Sequence, residues 1–246
     1  RLDIPDEATA RRIEAALKSG AYKVTAIEAK PVRRNPAPPF TTSTLQQEAA
    51  RKLGFSANRT MQVAQRLYED GLITCMRTDG VQSAPEAIAA TRAMIAKRYG
   101  DAYLPESPRH YQTKAKNAQE AHEAIRPPAL SATPASPRLE ADQARLYDLI
   151  WKRMAASQMQ SAELERTTVD IAAGVAQPVN LRATGQVVRF DGFLTLYQEG
   201  RDTEAPAQSR PDEDDDDGRL PPMQQGDALT EHGIQTEQHF TEPPPR

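Results

Sequence analysis

The first forty residues change from helical to strand periodicity. Residues 5–19 place Ala, Ile and Leu on one face, begin near Pro5 and end at Gly20, which predicts a helix. Residues 21–34 alternate apolar and polar positions and include β-branched side chains, which predicts a strand. The prolines between residues 31 and 39 then predict a stiff, extended connector, so we place a domain boundary there.

The region after this boundary has helical periodicity. Ser43 followed by Gln46 is a capping-box pattern, and it predicts the start of a helix that Gly54 ends. A second helix is predicted to begin at Ser56 and to end at Gly71. The residues expected on its buried face are Met61, Ala64, Leu67 and Tyr68.

A short apolar segment follows these two helices. The sequence LITCM, residues 72–76, predicts a strand, and helix, turn, helix and strand together resemble a winged-helix unit, which is frequent in nucleic-acid-binding proteins. Three further helices are predicted over residues 84–99, 118–125 and 140–161.

Strand periodicity returns in the last third of the chain, in residues 166–174, 179–197 and 227–243. The acidic residues 212–217 lie between the last two of these segments. Because six neighbouring acidic positions repel one another, we predict a solvated, mobile loop there and no metal site.

The order of these elements predicts an α+β fold. A helical, winged-helix-like domain, residues 35–160, is inserted into a discontinuous β-rich domain that residues 1–34 and 161–246 form.

Composition limits the class of protein. No apolar run is long enough to cross a membrane and no signal peptide is evident, so we expect a soluble, cytoplasmic protein. The single cysteine excludes an internal disulfide framework and a cysteine-based metal cluster. Residues 1–156 carry a net charge of +7 and residues 157–246 a net charge of −10, so a polyanionic partner and an ordinary solvated surface both fit the basic part. The ends of the chain look like cuts in a longer protein.

Three residues of the sequence CMRTD are candidates for chemistry. Cys75 is either a nucleophile or a small buried apolar side chain. Arg77 is suited to bidentate pairing with a phosphate, and Asp79 to orienting that guanidinium or accepting hydrogen bonds from the turn. The alternative for Arg77 and Asp79 is a structural salt bridge within the turn.

A second group of candidates lies between residues 110 and 126. His122 is flanked by carboxylates and is suited to act as a general acid or phosphate donor, or it is a surface histidine. The sequence lacks the second histidine of a zinc-protease helix, so metal-dependent hydrolysis is disfavoured. Lys114, Lys116 and Arg126 either follow a nucleic-acid backbone, with Tyr111 stacking on a base, or form a solvated basic loop.

Six segments occur in order at the spacing of a known family. They are PPFTTSTLQQEA, ANRTMQVAQRLYEDGLITCMRTDG, YLPESPRHY, QEAHEAIRPP, LYDLIWKRMAASQM and RFDGF. Together they closely resemble bacterial DNA topoisomerase I, a type IA topoisomerase, over essentially the whole chain.

The resemblance implies a mechanism. Enzymes of this family cleave one DNA strand with a tyrosine nucleophile, hold the 5′ phosphate as a phosphotyrosine, pass another strand through the gap and reseal it without ATP. The expected partner is single-stranded or underwound DNA, and we expect a nucleoid-associated monomer. Magnesium belongs to an N-terminal toprim domain that this chain lacks, so no cofactor is expected on this chain itself.

The resemblance also assigns residues. Arg77 matches the arginine that orients the scissile phosphate, Asp79 the aspartate of the same motif, and His122 an active-site histidine. At Cys75 the family motif has tyrosine. A sulfur there lies one aromatic ring short of the phenol oxygen, and a displacement of about 1 Å costs on the order of 10²-fold in rate. We therefore predict that this chain cannot cleave DNA, although a thiolate forms more readily than a phenolate.

Three readings of the chain remain open. Tyr68 is expected to face inward, so it does not replace the missing nucleophile. The chain is either part of a topoisomerase with its nucleophile replaced or a non-catalytic relative that binds or gates DNA. A helical interaction module without a DNA role is the third reading.

Overall fold

The computed structural model describes residues 4–18, 20–112, 123–130, 139–174, 179–198 and 220–238. The α-helices are α1 Glu7–Lys18, α2 Thr42–Leu53, α3 Ala57–Glu69, α4 Pro85–Tyr99 and α5 Ala141–Ser157. The strands are β1 Tyr22–Arg34, β2 Ala162–Ala173, β3 Val179–Phe190 and β4 Ala228–Leu229. Short 3₁₀ turns cover Asp101–Tyr103 and Gly192–Thr195. The predicted α+β class is confirmed.

The chain divides into two compact units. The sheet unit comprises Arg1–Val32, Glu165–Val187 and Glu213–Arg246, and the helical unit comprises Arg33–Leu164 and Val188–Asp212. The four strands pair in the order β3-β2-β1-β4. Strands β1 and β4 are antiparallel, with Tyr22 opposite Leu229.

The core of the helical unit lies among α2, α3 and α5. The apolar side chains that fill it are at most 5% exposed and follow helical spacing on each helix. They are Leu45, Ala49, Val63, Ala64, Leu67, Leu146, Ile150, Trp151 and Met154. Helix α2 ends at Gly54, whose φ of +67° a glycine adopts without steric cost, and Ser56 caps α3 by accepting from the Arg59 N–H.

Two expectations about α2 and α3 are wrong in detail. The capping box of α2 is formed by Thr41 and Thr44, not by Ser43 and Gln46: the Thr44 N–H donates to Thr41 Oγ1 and the Thr41 N–H donates to Thr44 Oγ1. Tyr68 is 48% exposed. It lies one position beyond the buried stripe of α3, so a rotation of about 100° turns it towards solvent.

The predicted strand over residues 72–76 is also wrong, because this segment is an irregular loop. The predicted helix over 118–125 fails in its described part. Glu123 and Ile125 form isolated bridges with Gln82 and Phe40, and the prolines that follow disfavour a helix there.

The remaining elements differ from prediction mainly at their ends. Helix α5 ends at Ser157, four residues before the predicted end. Strand β3 ends at Phe190, because the chain turns at Gly192, and β4 has only two residues. The acidic residues 212–217 lie outside the described residues.

Candidate functional site

The cysteine loop, residues 72–80, is fixed to the start of α2 by Thr42. The Thr42 N–H donates to the Thr78 carbonyl oxygen at 2.9 Å, and its hydroxyl accepts from the Thr78 N–H at 2.8 Å. The same hydroxyl donates to the Met76 carbonyl oxygen at 3.3 Å. Thr78 in turn accepts from the Gly80 N–H at 2.9 Å. Hydrogen bonds therefore set the path of the loop on both sides of Arg77.

A second set of bonds joins the cysteine loop to residues 123–126. The Thr74 N–H donates to the Arg126 carbonyl oxygen at 2.9 Å, and the Thr74 hydroxyl donates to the Ala124 carbonyl oxygen at 3.0 Å. The Ile125 N–H donates to the Phe40 carbonyl oxygen at 2.8 Å. The 123–126 segment thus supports the loop from the side that carries Cys75.

Cys75 is half-buried, and its thiol donates to the Glu123 carbonyl oxygen at an Sγ···O distance of 3.6 Å. Burial raises the pKa of the Cys75 thiol, and the negative charge of Glu123 adds to this effect, while a hydrogen bond from the Arg77 backbone opposes it. The site therefore holds Cys75 as a neutral thiol. From reference pKa values we expected a thiol to ionise more readily than a phenol, and burial reduces this advantage.

Arg77 and Asp79 both point into solvent. Both side chains are exposed, and within the described residues neither makes a hydrogen bond or an ion pair. The structural salt bridge that was the alternative for this pair is therefore not formed there. The Arg77 guanidinium keeps its N–H donors available for an anion.

Arg126 does not lie on an open basic loop. Its residue is only 7% exposed, and its Nη2 pairs with Glu123 Oε2 at 2.7 Å, while Nη1 donates to the Pro127 carbonyl oxygen at 3.0 Å. The other Glu123 oxygen accepts from the Ala84 N–H at 2.7 Å, just before α4. The Nε of Arg126 is buried without a hydrogen-bond partner among the described residues. The buried guanidinium therefore ties together residues 123–127, and the Arg126 backbone carbonyl oxygen accepts from the Thr74 N–H of the cysteine loop.

Three predicted site residues, Lys114, Lys116 and His122, lie outside the described residues. The structure therefore brings together Cys75, Arg77, Asp79 and Arg126 around one loop and does not test the other three. Among the described residues, no group of three or more His, Cys, Asp or Glu could hold a metal ion. No helix of the described residues is long and apolar enough to cross a membrane.

The whole chain, residues 1–246, matches the family model described as DNA topoisomerase. The chain belongs to the bacterial DNA topoisomerase I family. Two curated relatives are the DNA topoisomerase 1 of Zymomonas mobilis, 57% identical over 100% of this chain and 20% of that protein, and that of Streptomyces coelicolor, 50% identical over 98% and 25%.

A solved structure agrees with this assignment. The full-length topoisomerase I from Thermotoga maritima superposes with a TM-score of 0.69 at 30% identity, over 93% of this chain and 35% of that chain. The chain thus spans about a fifth to a third of the topoisomerases that it matches. The resemblance read from the sequence motifs is confirmed.

Three residues that support this topoisomerase loop were not singled out from the sequence as site residues. Thr42 stands in the segment TTST, which predicts only the start of a helix. No sequence pattern predicts that its hydroxyl also bonds to the backbone of residues 76–78. Thr74 reads as a strand residue. Glu123 lies next to His122 in the motif EAHEAIRPP, and that motif is the one signal that could have identified it.

Proposed function

We propose that this chain is the part of a type IA DNA topoisomerase that presents the nucleophile position and the phosphate-orienting arginine, and that Cys75 leaves it unable to cleave DNA. The observation that carries the proposal is the cysteine loop. It holds position 75 half-buried beside an exposed Arg77 whose guanidinium has no partner among the described residues.

In the reaction assigned to the family, the Cys75 thiol would have to replace a tyrosine oxygen as the nucleophile. A tyrosine oxygen at position 75 would attack the phosphorus of a strand and form a phosphotyrosine ester. The bond from phosphorus to the 3′ oxygen would break, and that oxygen would leave as a 3′ hydroxyl after taking up a proton. Religation reverses the same exchange, so bond energy is conserved and no ATP is needed. Arg77 would pair with the phosphate oxygens in both directions.

Two properties of Cys75 support inactivity. Its sulfur lies on a side chain one aromatic ring shorter than tyrosine, and a displacement of about 1 Å costs on the order of 10²-fold in rate. Its proton is also held by the Glu123 carbonyl oxygen, and burial raises its pKa, so little thiolate forms near neutral pH. The shorter side chain and the weaker ionisation of the thiol both lower the rate at which Cys75 would attack phosphorus.

Single-stranded or underwound DNA is the proposed substrate, and the protein is proposed to act as a monomer in the bacterial cytoplasm. The described residues offer no group that fits magnesium. We propose that magnesium binds to a toprim domain outside this chain, and we assign it no step here.

Restoration of the nucleophile tests this proposal. Cys75→Tyr and Cys75→Phe are made in the full-length gene product and incubated with a single-stranded oligonucleotide labelled at its 3′ end, with magnesium. We expect a labelled covalent protein band with Cys75→Tyr only, since phenylalanine supplies the same ring without the oxygen. An adduct with the unsubstituted protein would contradict the proposed inactivity.

The non-catalytic relative remains the second candidate, because the thiol is engaged with a backbone carbonyl and kept neutral. If Cys75→Tyr binds the oligonucleotide but forms no adduct, this candidate is favoured over a topoisomerase that lost only its nucleophile.

A further inference from the structure

Arg153 of α5 is buried against the segment that leads into α2, residues 38–42. Only 4% of Arg153 is exposed, and its Nε donates to the Pro38 carbonyl oxygen at 2.7 Å. Its guanidinium carbon lies 4.8 Å from the centre of the Phe40 ring, which is within the range of a cation–π interaction. One side chain therefore fixes both the backbone and an aromatic ring of segment 38–42.

Arg153 is itself held by a buried polar group. Its Nη1 donates to the Tyr197 hydroxyl at 3.3 Å, and its guanidinium carbon lies 5.1 Å from the centre of that ring. Burial is the main cause that raises the pKa of Tyr197 above its ordinary value, so the hydroxyl stays protonated and donates to Glu48 Oε2 at 2.7 Å. Because a planar guanidinium has its donors in fixed directions, these contacts leave Arg153 little freedom to move.

Segment 38–42 carries both supports of the cysteine loop. The Phe40 carbonyl oxygen accepts from the Ile125 N–H at 2.8 Å, and the 123–126 segment supports the loop from the side of Cys75. Two residues after Phe40, Thr42 makes three hydrogen bonds with the backbone of the loop. The residues that Arg153 fixes are therefore the ones that set the path of the cysteine loop.

We propose that Arg153 is a positioning residue for position 75, because it fixes segment 38–42 and this segment holds the cysteine loop. It acts through Phe40 and Thr42 and not by contact with a substrate. The inference rests on the proposed function, in which a nucleophile at position 75 must keep its place to within about 1 Å. An Arg153 that only stabilised the helical unit would leave the loop no more accessible than unfolding of that unit makes it.

Arg145→Lys is the matched control for Arg153→Lys. Arg145 lies on the same helix and makes the same two kinds of contact, with the Leu53 carbonyl oxygen at 3.0 Å and with the Phe55 ring at 5.2 Å. These contacts lie at the end of α2, whereas the cysteine loop is bound at its start. In both variants lysine keeps the charge and loses the planar set of donors.

Alkylation of Cys75 reports the state of the loop without DNA. The rate of reaction with iodoacetamide is measured for this chain and both variants at one mildly alkaline pH. Urea unfolding followed by Trp151 fluorescence gives the unfolded fraction of each variant, so the reaction through the unfolded chain is subtracted. We expect Arg153→Lys to react on the order of tenfold faster than Arg145→Lys after this subtraction, because a loosened loop exposes the thiol and lets its pKa fall towards the ordinary value.

Equal corrected rates for the two variants would overturn the positioning role. If Arg153→Lys does not fold, Tyr197→Phe takes its place, since it removes only the hydroxyl between Glu48 and Arg153 and keeps the ring. A corrected rate above that of Arg145→Lys is again expected, and an unchanged rate would overturn the inference.

The reaction itself gives a second measurement. Arg153→Lys and Arg145→Lys are each combined with Cys75→Tyr in the full-length gene product. We expect Arg153→Lys to slow formation of the labelled adduct on the order of tenfold at saturating oligonucleotide, with the affinity of the Arg145→Lys control. A loss in affinity alone would contradict a positioning role. If Cys75→Tyr by itself forms no adduct, the proposed cleavage function fails, and the alkylation rates alone decide whether Arg153 positions residue 75.

Discussion

The Cys75 thiol lies in surroundings that oppose ionisation. Burial has the largest effect on its pKa, and the carboxylate of Glu123 and the thiol bond to the Glu123 carbonyl oxygen also favour the neutral form. A reactive cysteine normally has the opposite setting, with a lowered pKa beside cations or a helix N-terminus. The residue therefore resembles a structural cysteine.

Alkylation measures this effect directly, because the chain has a single cysteine. We expect the rate of reaction with iodoacetamide in the folded chain to rise with pH around a midpoint above that of the same chain in urea, where the thiol pKa is about 8.5. The folded pKa is the higher one, so the neutral thiol stabilises the fold below the unfolded pKa. That stabilisation is lost as pH rises through the folded pKa. A folded midpoint equal to or below that of the unfolded chain would contradict the assignment.

Sequence reasoning located Arg77 and Asp79 correctly on one loop but could not predict the setting of Arg126. An arginine has the same side-chain chemistry whether it is buried in a structural ion pair or exposed on a nucleic-acid-binding surface. Only the fold determines which of these two roles it has. Here Glu123, three residues away, pairs with it at 2.7 Å and leaves it 7% exposed. The sequence predicts a short helix over 118–125, whereas Glu123 and Ile125 form isolated bridges with Gln82 and Phe40.

At the scale of elements, the long helices were predictable and their ends were less so. Helices α3 and α4 begin and end close to the predicted positions because a cap residue, a proline or a glycine marks each end locally. The start of α2 was misassigned because residues 41–44, TTST, offer several hydroxyls of equal capping ability. Tertiary bonds of Thr42 to the cysteine loop decide the register, and no local pattern encodes them.

The turn after β3 depends on a glycine. Gly192 has a φ of +50°, and a Cβ there would lie 2.5 Å from the carbonyl oxygens of Gln160 and Ser161. The Phe193 N–H donates to the same Gln160 carbonyl oxygen at 2.9 Å. The turn therefore packs its backbone directly against the chain that leaves α5, which explains why the strand predicted to run to residue 197 ends at Phe190.

Gly192→Ala should therefore cost much more stability than a glycine substitution in open space. Gly54→Ala is the matched control, since Gly54 also has a positive φ, of +67°, but a Cβ there meets nothing within 4 Å. We expect Gly54→Ala to cost about 1 kcal/mol from backbone strain and Gly192→Ala about 3 kcal/mol or more, because the backbone must also move. Urea unfolding followed by tryptophan fluorescence reports both variants. Equal costs would show that the turn relaxes freely.

At the scale of the whole molecule, buried apolar side chains are distributed unevenly between the two units. The described part of the sheet unit has four buried apolar side chains, which are Leu17, Val24, Val169 and Ala173. The helical unit contains all the others, including the aromatic residues Trp151 and Phe40. Burial of apolar surface is the main favourable term in folding, so the helical unit is expected to be the more stable of the two. The sequence predicts a helical region between β-rich segments, but it does not predict this difference in buried apolar side chains. A strand has the same alternating pattern whether its apolar face packs on a small core or on a large one.

Unfolding of this chain should accordingly occur in two steps, with the sheet unit melting first. Trp151 is the only tryptophan and is 2% exposed in the helical unit, so its fluorescence follows that unit alone. Far-ultraviolet circular dichroism follows both units. We expect circular dichroism to begin changing at a lower urea concentration than tryptophan fluorescence, since two units with separate cores need not unfold together. Coincident transitions with one slope would mean that the units unfold as one cooperative body, in which the helical core also stabilises the strands.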